Sequence, residues 1–201
     1  MQEKLCFETI RIEKKIAHNI RYHQKRFEDT RKALFNTKIP IDLQDLLAPP
    51  SDTLLKCRIT YGKDIKKIEY IPYIKNLPKT LILVESNLKY DYKFTDRSMI
   101  DALKSDIKDE DIIIIKDGVL TDTSIANIAL FDGKEWITPK QALLKGTMRA
   151  KLLDERYIKE ADIQTDALHK FKNFALMNAM LGFEIINEIK IVKGDQCLKI
   201  F

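Results

Sequence analysis

Between the apolar runs Asp111–Leu120 (DIIIIKDGVL) and Ile128–Pro139 (IALFDGKEWITP) lies Thr121–Asn127, TDTSIAN. An aspartate, two threonines, a serine and an asparagine interrupt chain that otherwise has the composition of sheet. A carboxylate beside hydroxyl and amide groups can hold a cationic or hydrogen-bonding ligand. A solvated hairpin accounts for the same polarity, so local pattern leaves both readings open. The histidines His18, His23 and His169 lack metal-ligand spacing, and no metal site is expected. GxGxxG, Walker A, HExxH and GxSxG are all missing, which removes the common nucleotide, zinc-protease and hydrolase signatures.

The chain of 201 residues has room for one large domain or two small ones. Hydrophobic residues make up 45% and charged residues 32%, a balance that argues against disorder. No apolar run approaches the ~18 residues of a membrane span, and MQEKLCFETIRIEKKI does not read as a secretory signal. Cys6, Cys57 and Cys197 are far apart and odd in number, which suggests a reducing cytoplasm rather than a disulfide framework. Net charge is +5, but the lysines are scattered and no run of five like charges suggests a nucleic-acid arm. A basic cleft for anionic substrates is compatible with that charge.

Local pattern predicts the elements that must position these groups. Residues 5–11 alternate as a strand, with 14–19 turning back beside it, and 20–35 carry the periodicity of an amphipathic helix. Residues 39–50 suggest a short helix stopped by Pro49 and Pro50. Residues 53–62 and 65–74 read as paired strands, and 79–86 as another. Thr95 or Asp96 could cap a helix holding Met99, Ile100 and Leu103. Strands follow in 110–139, with Asp117-Gly118 and Asp132-Gly133 as hairpin turns. A helix is expected from Gly146 or Thr147, a strand at 157–164, a short helix at 165–171, and two strands around Asn178–Gly182. The domain boundary is placed between 1–86 and 87–201.

Taken in order, FETIR (Phe7–Arg11), YHQKRF (Tyr22–Phe27), YKFTDRS (Tyr92–Ser98), DGVLTDTSIANIALF, TP, GTMRAKLL and LMNAM resemble the class IV, fold-type IV, pyridoxal-phosphate aminotransferases and lyases. Each piece is weak alone; their order and spacing make the resemblance, which covers most of the chain. It implies an α/β (α+β) fold of two small domains with pyridoxal 5'-phosphate in the cleft between them. It also implies a homodimer acting on a small molecule, with no nucleic acid or membrane partner.

The resemblance also assigns residues. Lys93 matches the Schiff-base lysine, whose amine would bind the cofactor aldehyde and then shuttle protons, and whose pKa must fall for that task. Arg26 matches the arginine on the cofactor phosphate, and Gly146, Thr147 and Met148 the helix start that takes the same phosphate. Asn178 and Ala179 would lie across it. Asp122 takes the place of the carboxylate on the pyridine nitrogen, with Thr123, Ser124 and Asn127 shaping that face. Two departures stand out: aspartate where most members have glutamate, and a short stretch before Phe7. They imply a compact member whose substrate pocket is partly missing or completed by a dimer mate. Within the family the motifs look most like 4-amino-4-deoxychorismate lyase, of folate synthesis, which eliminates pyruvate to give 4-aminobenzoate. An amino-acid transaminase of branched-chain or D-amino-acid type, or a degenerate member that binds cofactor without turnover, would carry the same residues.

Overall fold

The computed structural model describes residues 4–104 and 106–201. The opening residues in which a secretory signal was sought therefore lie partly outside the described ones. The chain forms two compact units: residues up to Lys75 together with Tyr92–Asp96, and Asn76–Asp91 together with Arg97–Phe201. The strand Thr80–Glu85, which the sequence boundary near residue 86 put with the N-terminal part, belongs to the second unit, because it pairs in parallel with Glu110–Lys116.

The first unit is a four-stranded antiparallel sheet with one long helix. The strands are β1 (Cys6–Glu13), β2 (Ile16–Ala17), β3 (Leu55–Tyr61) and β4 (Ile65–Pro72), in the order β2-β1-β3-β4. Period-two alternation puts Cys6, Ile10 and Ile12 of β1 and Leu55, Cys57, Ile59 and Tyr61 of β3 in one core. Helix α1 (Ile20–Phe35) buries Phe27 in that core, edge-on to Tyr61 at 4.7 Å between ring centres. Returning chain joins the sheet at β1: Cys6 bridges Phe94, and Phe7 and Thr95 donate from their amides to Lys93 and Leu5 carbonyls.

The helix expected at 39–50 is reduced to a turn near Leu43–Leu46. Side chains of α1 take the backbone groups a helix would use: Gln24 accepts from Leu43 N and donates to Ile41 O, and Arg31 donates to Ile39 O.

The second unit is built on a ten-stranded sheet. Its strands are β5 (Thr80–Glu85), β6 (Glu110–Lys116), β7 (Val119–Thr123), β8 (Asn127–Phe131), β9 (Trp136–Pro139), β10 (Ile158–Ala161), β11 (Asn173–Asn178), β12 (Gly182–Ile186), β13 (Lys190–Lys193) and β14 (Gln196–Ile200). The order runs β10-β9-β8-β7-β6-β5-β13-β14, with β11 between β8 and β12. Asp117 and Gly118, both at positive φ, make the β6–β7 hairpin, and the Asp132 carboxylate accepts two amides in the β8–β9 turn. β8 is shared: it pairs β7 at Asp122–Asn127, β9 at Leu130–Ile137, and β11 along Asn173–Met177. Ile113, Ile115, Leu120, Ile128, Leu130, Phe174 and Leu176 form its main core.

Three helical segments complete this unit. Helix α2 is only Ser98–Asp101, capped by no side chain, because Thr95 is already hydrogen-bonded to Leu5. Helix α3 (Thr147–Asp154) starts where expected, and Thr165–Lys170 is a 3₁₀ helix. Strands β13 and β14 close the sheet edge; of these the sequence pattern indicated only part of β13. Among the described residues no helix is long and apolar enough to cross a membrane.

Candidate active site

Each unit gathers one set of the predicted residues. In the first unit, β1 alternation turns Glu8 toward the same side as Cys6, Ile10 and Ile12, although it carries a charge, and it is fully buried. One turn of α1 brings His23 and Arg26 to it. Arg26 donates from Nε to Glu8 Oε1 at 2.9 Å and from Nη2 to Oε2 at 2.6 Å; His23 Nδ1 lies 2.6 Å from Oε2. Burial alone would raise the Glu8 pKa. The Arg26 charge and the bonds from His23 and Arg26 outweigh burial and hold it at about 2. His23 is pushed below its ordinary value, chiefly by burial, against the pull of Glu8 and with help from the Arg26 and Lys93 charges. It is therefore the neutral ring whose Nδ1–H donates to the carboxylate.

Lys93 is half-buried beside β1, its Nζ 4.6 Å from the centre of the Phe7 ring, whose face also meets Arg58 at 3.9 Å. The predicted Lys93 and Arg26 thus share one neighbourhood. Sequence reasoning missed Glu8 and considered His23 only as a metal ligand. The available signal was a glutamate at an inward position of an apolar strand.

In the second unit, the stretch 121–127 is a buried polar corner rather than a solvated hairpin. Thr121, Asp122, Thr123, Ser124 and Asn127 are all buried, while the apolar Ile125 is 52% exposed at the tip. Thr123 Oγ1 accepts from Ala126 N, and Thr123 N donates to Ala126 O, so the turn is locally closed. Arg97 donates to Ser124 O and Asn178 Nδ2 to Ile125 O, which ties it to two further loops.

Asp122 and Asn127 face each other in register across β7 and β8. Asn127 Nδ2 donates to Asp122 Oδ1 and to Leu144 O, both at 2.8 Å, and Leu144 N donates to Asp122 Oδ2 at 2.8 Å. Burial raises the Asp122 pKa to about 6, despite these bonds and the Arg149 charge, which favour the anion. The Leu144 loop leads into Gly146, the residue before α3. Its φ of −67° and ψ of 147° suit any residue. Space requires glycine here: a Cβ would sit 2.0 Å from Asn127 Oδ1. One asparagine therefore joins the buried carboxylate to the start of α3.

The other expected residues take lesser positions. Thr147 is buried in the first turn of α3, whereas the Met148 side chain packs into a core with Ala129, Leu152 and Met177. Arg149 donates to Pro139 O and Glu160, so it is a structural brace. Asn178 Oδ1 accepts from Met180 N and Leu181 N, shaping the turn that holds half-buried Ala179. The Ser124 hydroxyl and Arg149 Nε are buried without a hydrogen-bond partner among the described residues. No cluster of metal ligands occurs among them.

Known proteins share this arrangement of chain. The family model for amino-transferase class IV matches residues 87–189. An uncharacterized protein of Haemophilus influenzae is 34% identical over 183 residues, 88% of this chain and 97% of that one. A crystal structure from Haemophilus somnus 129pt, provisionally named a 4-amino-4-deoxychorismate lyase, is 34% identical over 90% of this chain and 99% of its own, with a TM-score of 0.81. A Schizosaccharomyces pombe protein provisionally named aminodeoxychorismate lyase is 32% identical over 126 residues, 57% of this chain and 54% of that protein.

Proposed function

The chain belongs to the amino-transferase class IV family, and from that premise we propose that it is a pyridoxal-phosphate enzyme of the 4-amino-4-deoxychorismate lyase type, releasing pyruvate to leave 4-aminobenzoate. Enzymes of this family depend on pyridoxal 5'-phosphate. The residues present fit that group. Asp122 is a buried carboxylate able to meet a ring N–H, since its two oxygens together can accept more than the bonds from Asn127, Leu144 and Leu143. Gly146 and Thr147 start a helix whose backbone amides suit a phosphate. The partnerless Ser124 hydroxyl lies in the same corner. The observation that supports the reading is the Asp122–Asn127–Leu144 link, which joins the buried carboxylate to the loop that leads into α3.

Bound, the cofactor supplies an electron-poor ring that accepts the electrons left by proton removal. The chain's residues do the rest. Lys93 would hold the cofactor through its amine, and the same amine, once released, would take the proton from the substrate carbon that bears the amino group and return one as the neighbouring C–O bond breaks and pyruvate leaves. Arg26 would bind the phosphate through charge-assisted bonds. Asp122, ionised, would keep the ring nitrogen protonated, and Asn127 holds Asp122 in place. Covering loops tied by Arg97 and Asn178 would limit water. A homodimer and a cytoplasmic location belong to the proposal, from the family resemblance and the scattered cysteines.

The lyase is preferred over an amino-acid transaminase because two relatives above 30% identity carry provisional lyase names. The test supplies 4-amino-4-deoxychorismate and, separately, amino donors with 2-oxo acids, and follows pyruvate, 4-aminobenzoate and glutamate. Release of 4-aminobenzoate and pyruvate in equal amounts is expected. Amino transfer with no 4-aminobenzoate would make it a transaminase. Borohydride should fix the cofactor on Lys93; an adduct on another lysine would sink the assignment.

A further inference from the structure

The proposed chemistry uses Arg26 and Lys93 but leaves the fully buried Glu8, bonded to Arg26 and His23, without a task. Glu8 sits where the alternation of β1 calls for an apolar side chain. A buried ion pair is weak evidence of stabilisation, because desolvation offsets much of its attraction. Its geometry is more telling. Both carboxylate oxygens engage the Nε–Nη2 edge of Arg26, at 2.9 and 2.6 Å, the fork-to-fork arrangement that fixes a guanidinium in plane and in roll. The third contact, from His23 Nδ1 at 2.6 Å, fixes the carboxylate itself. The Arg26 side chain stays 16% exposed, whereas the carboxylate that holds it is fully buried.

We propose that Glu8 is the positioning residue for phosphate recognition: with His23 behind it, it aims the Arg26 guanidinium at the cofactor phosphate. This rests on the reading of Arg26 as a phosphate ligand. The arrangement sacrifices net charge for direction, since the carboxylate neutralises the cation it holds. Glu8 touches neither substrate nor cofactor in this role; it acts through Arg26.

The experiment compares dissociation constants for pyridoxal 5'-phosphate and pyridoxal, which lacks the phosphate, on the full chain and on Glu8→Gln and Glu8→Asp. Wild type should prefer the phosphorylated form. Glu8→Gln should reduce that preference by roughly tenfold, the loss of one charge-assisted contact, while pyridoxal affinity stays within about twofold. Glu8→Asp keeps the charge that supports folding but withdraws the carboxylate by one methylene, and should reduce the preference less. Equal losses for both ligands would make Glu8 a purely structural residue and overturn the proposal. So would an unchanged or increased preference, the latter meaning that Glu8 merely competes with phosphate for Arg26. A wild type that binds the phosphorylated and plain ligands equally would remove the Arg26 reading itself, and this proposal with it.

Discussion

Gly146→Ala tests the frame that joins the carboxylate to α3. Backbone strain does not enter, because φ −67° and ψ 147° are open to alanine. The new methyl would lie 2.0 Å from Asn127 Oδ1 and 3.2 Å from its Cγ. Carbon and oxygen need more than 3 Å, so Asn127 or the start of α3 must move by about 1 Å. Asn127 is poorly able to yield: it is buried, and its amide bonds both Asp122 and Leu144 O at 2.8 Å. Flipping the amide does not help, since the nitrogen would then meet the methyl and the oxygen would face the carboxylate. Losing the bond to the carboxylate costs about 1.5–3 kcal/mol and the neutral one about 1 kcal/mol. Together the loss is about 2.5–4 kcal/mol, less whatever the loop recovers by relaxing. Urea unfolding of the cofactor-free protein measures it. The deciding control is Asn127→Ala, in which Gly146→Ala should cost under about 1 kcal/mol, the penalty of alanine at a helix cap. A Gly146→Ala protein as stable as wild type, or a cost that persists without Asn127, refutes the steric argument.

Asp122→Asn should alter the pH dependence of stability. Folding raises the Asp122 pKa from 3.8 to about 6, so ionising it costs stability as pH rises from about 4 through about 6, to a total of roughly 3 kcal/mol. His23 has the opposite slope, because its lowered pKa makes acid favour the unfolded chain below about 6.5. Only the difference between wild type and Asp122→Asn isolates the aspartate: the variant should gain on wild type between about pH 4 and 6 and then hold the gain, as urea midpoints will show. An offset between the two that does not change with pH would place the Asp122 pKa near its ordinary value. Arg26→Ala should do more than weaken cofactor binding. It strips the buried Glu8 of two bonds and should destabilise the cofactor-free protein by about 3–5 kcal/mol, with Glu8→Gln in the same chain recovering most of it. Calorimetry on the single and double variants would contradict this if the single change left the melting temperature unaltered.

What the sequence disclosed and what it concealed divide by range. Local rules suffice for the hairpin at Asp117-Gly118, for α1 and for the alternating strands β1 and β3. They fail at residues 39–50, where Gln24 and Arg31, from an element already formed, take the backbone groups of a helix that propensity favours. They fail again at Thr95, which pairs with Leu5, ninety positions away in sequence, instead of capping α2. The site follows the same division. Lys93, Arg26, Asp122 and Gly146 are singled out by motif order, yet the spatial reason for glycine at Gly146 lies in Asn127, which no local rule connects to it.

The stretch 121–127 shows a signal that was legible and ambiguous until burial resolved it. A solvated hairpin would expose its polar groups and bury its apolar ones. Here Asp122, Thr123, Ser124 and Asn127 are buried, and Ile125 is the residue in solvent. Burying polar groups disfavours folding unless their bonds are made, and burying a carboxylate disfavours it more. The chain answers with bonds for Asp122, Thr123 and Asn127, but the Ser124 hydroxyl is buried with none among the described residues, and Asp122 titrates at about 6. Inverted polarity of this kind lowers stability in the unit by itself. A positive ring N–H bound to Asp122 would lower that pKa and recover the loss, so the cofactor should stabilise the protein most at pH values above about 6, where the buried carboxylate without a cation is least favourable.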